Sequence, residues 1–78
     1  MIWKREAHAS LEIYVARFGI WKCEVWTNDG DVGYWLWDIA PREPQHGSGR
    51  IESPNSYQTA VAAKSACTRF ANKYLKGE

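Results

Sequence analysis

From Leu11 the order Leu-Glu-Ile-Tyr-Val alternates apolar and polar side chains, which in an extended chain puts Leu11, Ile13 and Val15 on one side and Glu12 and Tyr14 on the other. A second alternation, Ile20 to Trp26, sets Trp21, Cys23 and Val25 against Lys22, Glu24 and Trp26, and Gly19 offers the turn between the two. Asn28-Asp29-Gly30-Asp31 is the clearest turn of the chain, because Asn, Asp and Gly accept the positive φ values of tight hairpins. The third strand expected after it, Val32 to Ile39, is apolar at nearly every position: Val32, Tyr34 and Leu36 share one face, and Gly33, Trp35, Trp37 and Ile39 share the other. A one-sided sheet would not need both faces apolar.

Residues 41–49 read as a loop, with two prolines, two glycines and no apolar side chain. Arg50 to Glu52 leaves room for a short fourth strand. Two helix starts follow, Ser53-Pro54-Asn55 and Thr59. From about Tyr57 to Leu75 the period becomes helical, with Ala60, Ala63, Cys67, Phe70, Ala71 and Tyr74 on one face and Gln58, Ser65, Arg69, Asn72, Lys73 and Lys76 opposite. The stem of Lys64 is expected to lie on Ala60 with its ammonium in water. The predicted fold class is α+β: a three-stranded antiparallel β-sheet, or four with the short strand, packed against one C-terminal α-helix (βββα). It divides into an N-terminal segment (1–9), a β-meander (10–39), the loop (41–49) and the helix (57–75).

A chain of 78 residues predicts a single domain that buries only roughly 60% of its unfolded surface. Ten Lys and Arg against nine Asp and Glu leave a formal charge of +1, too little to choose a polyanionic partner. Neither a signal-peptide core nor a bilayer-spanning run is present, so a cytoplasmic protein with no membrane partner is expected. Cys23 and Cys67 form no C-x-x-C motif and read as buried free thiols. His8, Cys23, His46 and Cys67 lack the paired spacing of a zinc site. Glu24, Asp29, Asp31 and Asp38 have no nucleophile or shared pocket assigned to them. No cofactor, metal or catalytic residue is predicted, and the chain is read as a non-enzyme.

L-E-I-Y from Leu11, G-x-W-K-x-E-V from Gly19, N-D-G-x-V from Asn28 and Y-x-T-x-x-A-A-K from Tyr57 occur in that order, and together they resemble the small YegP-like repeat. The resemblance spans Leu11 to Lys64 and implies a three-stranded sheet with one covering helix, and homodimers formed through the sheets. It implies no reaction.

Five tryptophans are many for so small a core, and Trp26, Trp35 and Trp37 are three of those in the expected strands. With one helix covering one sheet face, Tyr14, Trp26, Trp35 and Trp37 are expected to form an aromatic patch for a protein partner or a second copy. The competing arrangement folds the N-terminal segment, with Ile2 and Trp3, back over that patch. The leading functional expectation is a small protein-binding module, either a phage or mobile-element inhibitor of a host complex (anti-CRISPR-like) or a YegP-like homodimer. The alternative is a nucleic-acid-binding domain that uses the sheet, similar in topology to the arm-binding domains of phage integrases, with Lys4, Arg5, Arg17 and Lys22 on the phosphates.

Overall fold

The computed structural model describes residues 1–8, 11–28, 33–43, 47 and 49–75, with side chains at all of these except 7, 8, 11 and 28. Among the described residues five strands precede one helix: β1 (Lys4–His8), β2 (Leu11–Phe18), β3 (Trp21–Asn28), β4 (Leu36–Pro41), β5 (Ile51–Glu52) and α1 (Ala60–Tyr74). Each strand pairs antiparallel with the next, so the sheet order β1-β2-β3-β4-β5 is the chain order. The α+β class and the covering C-terminal helix are as expected, and β5 is the short strand anticipated at 50–52. The sheet is nevertheless wider than three or four strands, because the N-terminal segment adds β1.

That strand has the sequence Lys-Arg-Glu-Ala-His and no apolar alternation, so no period marks it. It is held by its ladder to β2, supported by the exposed ion pair between Arg5 and Glu12 at 3.3 Å. Charged side chains are what an edge strand carries when it must not pair with a stranger.

β2 and β3 join through Gly19 and Ile20, with Phe18 opposite Trp21, and Gly19 takes φ 63°, the left-handed region that a residue without Cβ enters freely. The turn expected at Asn28-Asp29-Gly30-Asp31 and the start of the third strand at Val32 lie outside the described residues, apart from the Asn28 backbone. β4 begins later than expected. Trp35 instead exchanges two 2.8 Å backbone hydrogen bonds with Tyr57, which ties the approach to the helix onto the sheet. Ser53 continues the ladder: its N–H donates to the Trp37 carbonyl at 2.8 Å and its Oγ accepts from the Trp37 N–H at 3.2 Å. Of the two helix starts it is Thr59 that caps α1, its Oγ1 accepting from the Ala62 N–H at 3.1 Å.

α1 lies over β3 and β4. Ala63, Cys67 and Ala71 are wholly buried against Cys23, Val25, Trp37 and Ile39. Three small side chains along one helical stripe let the backbone approach the sheet closely, and the larger Val25, Trp37 and Ile39 fill the volume from below. Phe70 stacks on Trp37 with ring centroids 5.3 Å apart. Tyr74, expected on the buried face, is 62% exposed: it leans on Phe70 one turn back, at 4.8 Å, rather than on the sheet.

Candidate docking face

Strand register divides the sheet side chains between two faces. Toward α1 point the rows Tyr14, Val25, Trp37 and Ala16, Cys23, Ile39, Ile51, with Phe18, Trp21 and Pro41 beyond them. On the helix-free face lie Glu6, Ile13, Trp26, Leu36, then Lys4, Val15, Glu24, Asp38, Glu52, then Arg17, Lys22, Ala40.

The aromatic patch expected from the sequence therefore does not assemble. Tyr14, Trp35 and Trp37 belong to the helix side and only Trp26 faces away from it. Trp37 is 3% exposed and part of the core. Trp35 is half-buried beside Tyr14, centroids 6.0 Å apart. The Lys64 ammonium does not simply reach into water: it sits 3.5 Å above the Tyr14 ring, a cation–π contact. The physical reason is parity. Tyr14 and Trp37 both pair with Val25, and once Val25 and Ile39 enter the core every second residue of those strands follows.

Nor does the N-terminal segment cover the far face. It lengthens the sheet edgewise; Trp3 packs against the core and Ile2 is left 80% exposed.

What the helix-free face presents is a row of half-buried apolar side chains, Ile13, Trp26 and Leu36, continued by Val15, next to a row of charges. No described helix or strand lies over it. Of the four basic residues assigned to phosphate contacts, Lys4, Arg17 and Lys22 are on this face, whereas Arg5 is on the other, opposite Tyr14 and paired with Glu12. Ile13, Val15 and Leu36 were not among the residues expected at a site, although their parity with Trp26 was readable once the helix side was known.

The charges at the centre are tightly organised. Asp38 has a side chain only 3% exposed, and Arg50, just before β5, donates to its Oδ2 at 2.6 Å while staying 56% exposed itself. The other oxygen, Oδ1, is buried and makes no hydrogen bond. Glu24, the register partner of Asp38, has its carboxyl raised above the ordinary 4.5, first by burial, then by the negative charge of Asp38 and the hydrogen bond a protonated Glu24 donates to it; Lys22, 3.9 Å from Glu24, and Arg50 offset part of this. A group whose folded pKa is raised contributes stability that is complete below 4.5 and is lost as pH rises through the folded value. Glu24→Gln, which donates to Asp38 at any pH, is thus expected to melt higher than the wild type near neutral pH and equally once the pH is well below 4.5. Parallel thermal scans across that window check this, and identical pH profiles would refute it.

Cys23 and Cys67 are free and fully buried in the same core cluster. The hydrogen bond that the Cys67 thiol donates to Cys23, then burial, pushes Cys67 far up, which suits a packed thiol and not a nucleophile. Among the described residues no three His, Cys, Asp or Glu side chains gather to hold a metal ion, and His46 lies outside them. No described helix is long and apolar enough to cross a membrane. No protein-family model, no curated protein and no solved structure matches the chain, so the short YegP-like motifs carry that resemblance by themselves.

Proposed function

We propose that the chain is a non-enzymatic protein-binding module whose docking surface is the helix-free face of the sheet, with Trp26 as its anchor. The observation that carries this reading is the apolar row Ile13, Trp26, Leu36 on a sheet covered by α1 on one side only. A sheet face with large apolar side chains gains free energy when a second layer covers it, and tryptophan is the side chain most often found at the energetic centre of such contacts. The central charges do not oppose docking, since Asp38 is already neutralised by Arg50. An inhibitor of a host complex, the anti-CRISPR-like role, or an adaptor needs no chemistry beyond such occupancy.

The test has two steps. Capture from a nuclease-treated lysate identifies a partner, and the purified partner is then titrated against wild type and Trp26→Ser. Loss of an anchoring tryptophan is expected to weaken binding by about 30-fold or more. Equal affinity of the two proteins, or retention that disappears with nuclease, refutes the reading. Wild type that binds only itself in sedimentation replaces it with a homodimer.

A further inference from the structure

At the Gly19 end of the same face lies an open recess of about 990 Å³. Four of the ten Lys and Arg residues line it, each from a different segment: Lys4 from β1, Arg17 from β2, Lys22 from β3 and Arg42 from just beyond β4. Arg17 and Lys22 are register partners, like charges directly opposite one another, an arrangement that destabilises a sheet unless something negative lies across it. Their charge is largely unspent. Arg17 and Lys4 make no ion pair among the described residues, and Lys22 reaches Glu24 only at 3.9 Å. The Arg42 guanidinium is steadied by the Gly19 carbonyl, 3.1 Å from its Nη1, which fixes its position without neutralising it.

The rest of the lining decides which anion fits. Val15 and the exposed Ile2 supply apolar surface. Among the described residues no aromatic ring borders the recess, so a single-stranded nucleic acid finds none of them to stack its bases on. Glu6 and Glu43 also stand on its border, so the lining is mixed in charge rather than uniformly basic. A peptide can place carboxylates on the cations and apolar side chains between them. Val15 also makes the recess continuous with the Ile13 and Trp26 row, two residues along the same strand face.

We infer that this recess holds an acidic peptide segment of the partner protein, its carboxylates on Lys4, Arg17, Lys22 and Arg42 and its apolar side chains toward Val15 and Ile2. The inference rests on the protein-docking reading of the same face. The experiment titrates the full chain with three probes: a synthetic peptide alternating Asp and Glu with Leu and Ser, its Asn and Gln counterpart, and a short oligothymidylate. Amide chemical shifts report where each binds. The acidic peptide is expected to shift the amides around Lys4, Arg17 and Lys22 and to weaken as salt rises from about 50 to about 200 mM. Its affinity should fall roughly tenfold in the double variant Arg17→Gln, Lys22→Gln. That variant removes a like-charge pair and should melt no lower than wild type, so the loss is not one of folding. Equal binding of the neutral peptide, tighter binding of the oligothymidylate, or an unchanged double variant overturns the inference. Partner capture that persists undiminished in the double variant overturns the recess and leaves the docking reading standing, whereas capture indifferent to Trp26→Ser overturns both.

Discussion

Trp37→Ala is expected to cost about 3 to 5 kcal/mol, the usual range for deleting a buried tryptophan. A domain of this size has only about 4 to 12 kcal/mol of stability in all, so the variant should be partly unfolded at physiological temperature. Trp37 lies in the row Tyr14, Val25, Trp37 beneath the helix and is the platform on which Phe70 stacks. Removing it empties the space between β4 and α1 and leaves Phe70 without its partner. Its Nε1 is buried without a hydrogen bond, so the native protein already carries the desolvation of that N–H, roughly 1 to 3 kcal/mol. Trp37→Phe keeps much of the ring and sheds the unpaired group, and should therefore cost much less than Trp37→Ala. Urea unfolding followed by far-ultraviolet circular dichroism measures both. Equal losses for the two variants would show that the ring's volume is not what holds the helix down.

The second large effect is at Arg50. Arg50→Ala strips the charge-assisted hydrogen bond from a carboxylate that the sheet has taken out of water. Breaking a fully buried pair costs about 3 to 5 kcal/mol, but Arg50 is more than half exposed and water can follow the vacated guanidinium, so about 2 kcal/mol is the expected loss. The penalty belongs to the stranded charge, not to the arginine side chain. Adding Asp38→Asn to Arg50→Ala should accordingly restore most of it, since a neutral amide can donate to Glu24 and has little desolvation left to lose. Chemical denaturation of the two single variants and the double closes the cycle. Additive losses would mean that Arg50 acts by packing and not through Asp38.

The alternations at Leu11 to Val15 and Ile20 to Trp26, and the helical stripe through Ala63, Cys67 and Ala71, were legible because each follows the period of its element over several residues. Thr59 was legible only as one of two starts, since Pro54 is as good a signal locally and the Trp35 to Tyr57 bridge that delays the helix is a long-range contact. β1 had no signal to read, because an edge strand sustained by backbone bonds and charges has no apolar period. The aromatic set failed for a different reason. A period of two says which residues share a face but not which face meets the helix, and both faces of β4 carry large apolar side chains, so Trp37 and Trp26 could be assigned to opposite faces only after the register with β3 was known. The link between Asp38 and Arg50 was hidden too, because it spans the loop that separates β4 from β5.

The pair of thiols beneath α1 gives the molecule a clock of its own. Cys23 sits on the central strand and Cys67 on the helix above it, both sealed from solvent, so an alkylating reagent reaches either one only when sheet and helix have parted. The pace at which the folded protein takes up two labels therefore reports how often its two layers separate, with no dye, tag or substitution introduced.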